Sequence, residues 1–347
     1  VKSLGKFPDS FLSEIAGQPD AMRRASAGIA EQHAAMERLR AAARDADAIV
    51  FTGMGSSYDA CYSPVTQLAS QGVRTSMVDS AELLHFRLAS VGAGTLLVAV
   101  SQSGESAELV RLADALASRP ATAQPTLVSV TNGTDNTLAR AASIALDTRA
   151  GEEHGPSTMT FAAALVALCA VAGDGDGTAV AADSMDNMLT TPDEDAADLA
   201  GWFGDRSVLA LLGRGCARAA AEMGALTLKE AAQLPAESLQ TAQFRHGPLE
   251  LAGPHLAAMV FATEPRTRHL DMGLARELVA AGSPVLVVSQ DGDAPDGARG
   301  LAVGPLGTGI APAVAILPAQ LLAWRLAAER GRTPGEFSIA AKVTTRE

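Results

Sequence analysis

The stretch VAVSQSGESAEL, Val98 to Leu109, decides how this chain is read. It begins within a short apolar, β-branched run, Thr95 to Val100, as a parallel strand covered on both faces requires. It then turns polar at once. Ser101, Gln102, Ser103, Gly104, Glu105 and Ser106 lead straight into a helical pattern, Ala107 to Ala117. In an open parallel sheet, ligands sit at the carboxyl ends of the strands. The helix that follows presents unpaired N–H groups and a partial positive charge there, a setting that suits phosphate. Ser101, Ser103 and Ser106 offer hydroxyls, Gln102 an amide, and Gly104 a close backbone approach. Each hydrogen bond to a charged group contributes about 1.5–3 kcal/mol, so a few of them hold a phosphomonoester without Lys or Arg. One serine here would simply cap the helix; the cluster is what points to phosphate.

Outward from this turn the chain alternates short apolar runs with helical patterns. The runs are Ala48 to Thr52, Val73 to Val78, Thr95 to Val100 and Thr126 to Val130, after one long helical pattern from Asp20 to Ala46. A helix-like run, Thr158 to Ala172, closes this half. The segment GDGDGTAVAADS, beginning at Gly173, reads as a linker. Beyond it the alternation resumes, with strands at Ser207–Leu212, Leu256–Thr263 and Pro284–Ser289, and helices at Ala217–Glu230, Leu270–Ala281 and Ala313–Arg330. The pattern predicts an α/β fold in which parallel sheets carry helices on both faces.

The halves read as a repeat. IVFTGMGSSYDA (Ile49 to Ala60) matches VLALLGRGCARA (Val208 to Ala219), and LLVAVSQSGESA (Leu96 to Ala107) matches VLVVSQDGDAPD (Val285 to Asp296). Two correspondences in one order suggest duplication of a single α/β unit. On this pairing Asp291 stands where Ser103 does. A carboxylate there repels phosphate, so the reading keeps one phosphate site, in the first half.

Composition narrows the function classes. The 347 residues are 48% hydrophobic, enough for a sizeable core, and the net charge of −12 disfavours nucleic acid or an anionic membrane as partner. Cys61, Cys169 and Cys216 are far apart, without metal-type spacing, and read as thiols in a reducing compartment. No apolar run reaches 18 residues and VKSLGKFPDSFLSEIAG has no signal-peptide core, so a cytoplasmic protein is expected. Gly53-Met-Gly55 lacks the third glycine of a dinucleotide fingerprint, and there is no phosphate-loop Gly-Lys-Ser/Thr. Ser56 and Ser57 instead add hydroxyls at a neighbouring strand end. No cofactor or metal is expected. Glu230 and His246 are the acid–base candidates, His246 standing before Gly247-Pro248, which reads as the opening of a helix. Taken singly, each is more readily a solvated or structural residue.

The SQSGES turn resembles the signature of the sugar isomerase (SIS) domain, whose members bind phosphosugars. The resemblance covers most of the chain as two tandem, flavodoxin-like SIS domains. LGRG (Leu212 to Gly215), LKE (Leu228 to Glu230), RHGPLEL (Arg245 to Leu251) and the closing AAKVTTRE resemble the isomerase part of glucosamine-6-phosphate synthase. The implied division is a helical segment 1–46, a first SIS domain 47–175, a linker and helix 176–200, a second SIS domain 201–331, and a tail 332–347 that reaches the active site.

The resemblance implies roles by position. Ser57, Ser101, Gln102, Ser103 and Ser106 hold the phosphate. Glu230 moves a proton between C1 and C2, and His246 assists ring opening from a neighbouring subunit, implying a homodimer. Lys342 forms a Schiff base with the open-chain ketose. Glu153 and Thr158 match a sugar-contacting loop. The chemistry agrees: aldose–ketose interconversion needs a base at C1/C2, typically worth about 10²–10⁴-fold, and a cation or iminium for the enediolate. The glutaminase part has no counterpart, with no cysteine before Cys61, so glutamine is not expected as nitrogen donor. Thr227 and Met223 replace a family lysine and glutamate, which the resemblance sets near the sugar end. The leading expectation is interconversion of an amino-sugar 6-phosphate with fructose 6-phosphate and ammonia. Alternatives are a fructosamine-6-phosphate deglycase and, in another class, a non-catalytic phosphosugar sensor.

Overall fold

A computed structural model describes residues 10–175, 177–339 and 341–346. The chain forms two compact units. The first comprises Asp20–Glu152, Met159–Thr178 and Ile339–Glu347; the second comprises Val1–Pro19, Glu153–Thr158 and Ala179–Ser338.

The first unit holds five strands: β1 (Ala48–Thr52), β2 (Thr75–Met77), β3 (Thr95–Ser101), β4 (Thr126–Thr131) and β5 (Ile144–Asp147). They form one sheet in the order β2-β1-β3-β4-β5, parallel throughout. β3 is central and buried at every position, which its unbroken apolar run predicts. Leu97, Ala99, Leu109, Leu112 and Leu116 pack between this sheet and the helix Ala107–Ala117. On the sheet's other face, every residue of the helix Met159–Val171 from Met159 to Cys169 is buried.

The second unit holds β6 (Val208–Gly213), β7 (Ala236–Gln240), β8 (Leu256–Ala262), β9 (Val285–Ser289) and β10 (Arg299–Ala302). Their order is β10-β9-β8-β6-β7, again all parallel. Numbered within each unit, both sheets run 2-1-3-4-5, the flavodoxin-like order, whose crevice opens between the first and third strands.

The shared order supports duplication but overturns one correspondence. SQSG follows the third strand of its sheet, whereas SQDG follows β9, the fourth. Ser101 pairs across the ladder with Thr131, and Ala262 pairs with Ser289. The Val303 N–H donates to Ser289 O as the Thr148 N–H donates to Thr131 O. SQDG is therefore the counterpart of Thr131-Asn132-Gly133. The turns look alike because a β-strand entering a Gly turn uses the same short polar residues wherever it occurs.

Other differences are local. The expected helix from Asp20 to Ala46 is split into Gln18–Glu31 and His33–Asp45. At the break, the Gln32 side chain donates to Asp147 O (2.9 Å) and accepts from Asp147 N (2.9 Å), acting as one more rung on the edge of β5. β5, β7 and β10 were not expected. All three are edge strands, and AESLQ and RGLA lack the apolar run of a central strand. Gly247-Pro248 opens one 3₁₀ turn, Pro248–Leu251, in place of a helix. Ala311–Glu329 is long and apolar enough to cross a membrane, yet 89% of its most apolar window is buried in the fold.

Candidate functional site

The crevice of the first unit lies at the carboxyl ends of β1, β3 and β4. Ser56 and Ser57 reach it from β1, Ser101 and Gln102 from β3, Thr131 from β4, and Thr160 from the helix Met159–Val171. Among the described residues, no Lys or Arg lines it.

The SQSGES turn is held internally. Ser101 is 3% exposed, and its Oγ accepts the Gly104 N–H at 3.0 Å. Ser101 Oγ also lies 3.4 Å from Ser106 Oγ. Ser103 Oγ accepts the Glu105 N–H at 3.1 Å. Gly104 has φ +66, a left-handed conformation that a side chain resists. The carboxylate of Glu105 is engaged, its Oε1 accepting the Thr137 N–H at 2.7 Å. That hydrogen bond holds its carboxyl below the usual range. An acidic residue beside the proposed phosphate site is thereby spent on another helix start. Ser106 occupies the N-cap position of Ala107–Ala117 with no side-chain cap bond.

The tail reaches this same place. The Ala107 N–H, the first of the helix, donates to Thr344 O at 3.1 Å. This brings the segment carrying Lys342, which is half-buried, to the SQSGES turn within one unit.

The other candidates belong to the second unit. Glu230 is half-buried in the last turns of the helix Arg218–Ala232. His246 is exposed, in the turn after Thr241–Phe244, where its N–H donates to Gln243 O. Glu153 and Thr158 are both buried and bond to each other: Glu153 Oε1 accepts from Thr158 N at 2.8 Å and from Thr158 Oγ1 at 3.0 Å. The carboxylate of Glu14 accepts the N–H groups of His154 (2.6 Å) and Gly155 (3.1 Å), so two buried carboxylates fix this loop. Thr227 and Met223 are wholly buried, and the Thr227 hydroxyl donates to Met223 O one turn back. The polar need of Thr227 is thereby met inside its own helix.

All three cysteines are buried and outside any disulfide, and burial pushes the Cys61 and Cys169 thiols well above their ordinary values. No group of three or more His, Cys, Asp or Glu arranged to hold a metal occurs among the described residues. Thr131 and Thr160 escaped the sequence reading. Thr131 carried a signal, since β4 also runs into a polar Gly turn, VTNG; Thr160 lies inside an apolar helical run that hides it.

The SIS domain family model matches residues 43–172 and 205–329, one segment over each sheet. The chain belongs to the SIS domain family. Among curated proteins it is similar to the glutamine–fructose-6-phosphate aminotransferase [isomerizing] of Pyrobaculum aerophilum, at 30% identity over 100% of this chain and 59% of that protein. The corresponding protein 1 of Arabidopsis thaliana is 28% identical over 86% of this chain and 46% of its own length. The SIS chain thus spans about half the length of these relatives. Among solved structures, the C-terminal domain of the Francisella tularensis glucosamine-fructose-6-phosphate aminotransferase has TM-score 0.80 at 23% identity, covering 95% of this chain and 98% of that one. The Escherichia coli tagatose-6-phosphate ketose/aldose isomerase has TM-score 0.79 at 21% identity, covering 95% of each chain. Both share the two-sheet SIS fold.

Proposed function

We propose that this SIS protein is a phosphosugar isomerase that acts as an aminosugar-phosphate deaminase, interconverting a glucosamine 6-phosphate-like substrate with fructose 6-phosphate and ammonia. The observation that supports the reading is the hydroxyl-lined crevice at the junction of β1 and β3, which Ser56, Ser57, Ser101 and Gln102 line, the last two opening the SQSGES turn. Ser57, Ser101, Gln102, Ser103 and Ser106 hold the 6-phosphate, and Gly104 lets the backbone approach it. The relatives named above support the sugar-phosphate class.

The chemistry assigns one task to each remaining residue. His246 assists opening of the pyranose to the aldehyde. Glu230 takes the proton from C2 and returns it to C1, which converts the amino-aldose to an imine of the ketose. Water adds to that imine, the C–N bond breaks, and ammonia leaves with fructose 6-phosphate remaining. Lys342 supplies the cation for the enolate-like intermediate, or an iminium with the ketose carbonyl. Glu153 and Thr158 shape the sugar-contacting loop. We read the working form as a cytoplasmic homodimer in which the His246 loop serves a partner subunit. The exposure of His246, with Leu251 47% exposed beside it, supports this.

The test is direct. Purified chain with glucosamine 6-phosphate should release ammonia and fructose 6-phosphate in equal amounts, without need of glutamine. No ammonia from glucosamine 6-phosphate, with amino acid released from fructoselysine 6-phosphate, replaces the reading with a deglycase. Tight binding of hexose 6-phosphates with no turnover replaces it with a sensor.

A further inference from the structure

The two sheets share one strand order, so residues of their crevices correspond through the ladders. Thr52 pairs with Ala99 in the first unit, and Leu212 pairs with Val260 in the second. Counted on from those rungs, Gly53, Gly55 and Ser56 correspond to Gly213, Gly215 and Cys216. By the same count Ser103 corresponds to Glu264. The glycines agree in detail. Gly55 and Gly215 have φ +50 and +54. A Cβ on Gly53 would lie 3.0 Å from the carbonyl carbon of Ser57, and one on Gly213 would lie 2.9 Å from that of Ala217.

In the second unit this crevice contains an anion. Glu264 Oε1 accepts the Cys216 N–H at 2.8 Å, where the 3₁₀ turn Gly215–Ala217 leads into the helix Arg218–Ala232. The loop closes around the carboxylate, since a Cβ on Gly215 would come within 2.9 Å of the same oxygen. Arg214, beside it in sequence, is committed elsewhere, its Nε donating to Asp271 Oδ1 at 2.8 Å. The carboxylate is therefore held by the backbone N–H as a small oxyanion would be.

We infer that the second unit retains an anion site of the same class as the first, and that Glu264 is its permanent internal occupant. The residue corresponding to a phosphate-turn serine carries the anion itself, so each chain takes up one phosphate instead of two. With the carboxylate removed, the site takes inorganic phosphate or a phosphomonoester. The comparison with Ser103 rests on the phosphate reading of the first unit, and the test keeps the two apart.

Phosphate bound per chain is counted by equilibrium dialysis of the full chain with radiolabelled inorganic phosphate. The expected counts are one for wild type, two for Glu264→Ser, none for Ser103→Asp, and one for the double variant. Phosphate should raise the Tm of the double variant and leave that of Ser103→Asp unmoved. The inference is overturned if folded Glu264→Ser binds no more phosphate than wild type, or if wild type already binds two and Ser103→Asp binds one. Should Glu264→Ser not fold, Glu264→Ala is refolded with and without phosphate; equal recovery in both overturns the inference, and recovery only with the anion upholds it. A wild-type count of none, with one gained by Glu264→Ser, removes the first-unit reading and leaves this one standing.

Discussion

Gly104 and Asn136 are packed so closely that a Cβ on Gly104 would lie 2.0 Å from Asn136 Oδ1. Asn136 cannot give way freely, because the same Oδ1 accepts the Ala139 N–H at 2.8 Å and caps the next helix. Gly104→Ala therefore meets both this clash and a left-handed φ. A loss of about 1–3 kcal/mol is expected, together with loss of the phosphate-induced rise in Tm. Calorimetry with and without phosphate checks both; a variant that keeps the phosphate response shows that the turn is not the anchor.

Glu105→Gln tests the charge that the turn directs elsewhere. The Thr137 N–H holds the Glu105 carboxyl below its unfolded value. Such a group adds stability above the unfolded carboxylate value, about 4.3, and loses it as pH falls through the lower folded value. Wild type should exceed Glu105→Gln in Tm at neutral pH, and the gap should close in acid. Melting curves across that range decide the matter, and a pH-independent gap refutes the charge-based account.

Glu230→Gln separates chemistry from binding. If Glu230 carries the proton, kcat should fall by about 10²–10⁴-fold, with KM and Tm close to wild type. Steady-state kinetics with glucosamine 6-phosphate provide the measurement. A variant that retains most of its kcat assigns the base to another residue.

Arg214→Met tests the buried ion pair of the second unit. Asp271 is fully buried, with Arg214 Nε and Thr241 Oγ1 each at 2.8 Å. Burial raises its pKa despite these partners. Removing the arginine leaves an uncompensated buried charge and should cost about 3–5 kcal/mol. A raised folded value means that protonation favours the folded state, so the cost should shrink as pH falls. Urea denaturation of the variant at two pH values gives both the size and the sign.

The central elements were legible in the sequence because burial on both faces leaves an unambiguous apolar run, as in β3 and β8. The edge strands were not, since AESLQ and RGLA satisfy half their backbone without a hydrophobic run. The polar turn after β3 stood out for a different reason: three hydroxyls, an amide and a glycine in six residues have few structural uses. Its counterpart was misplaced. SQDG looked like the spoiled copy, but only the ladder shows that the third strand of the second sheet is followed by Thr263-Glu264, which resembles SQSG in no letter. The reading that put Asp291 in the place of Ser103 was wrong, because local likeness carries no strand count. Thr160 was hidden by its apolar neighbours. The bond between Glu153 and Thr158 was equally out of reach, since a five-residue spacing in a loop fixes no contact.

The hydrogen bond from the Ala107 N–H to Thr344 O has a practical consequence. A bulky fluorescent label on a cysteine placed at the exposed Arg346 would lie within a few residues of the helix end proposed to face the phosphate. Protein labelled there should bind sugar phosphates less well than the same chain labelled at the exposed Val180, and a labelled chain that shows no activity should be assayed unlabelled before it is judged inert.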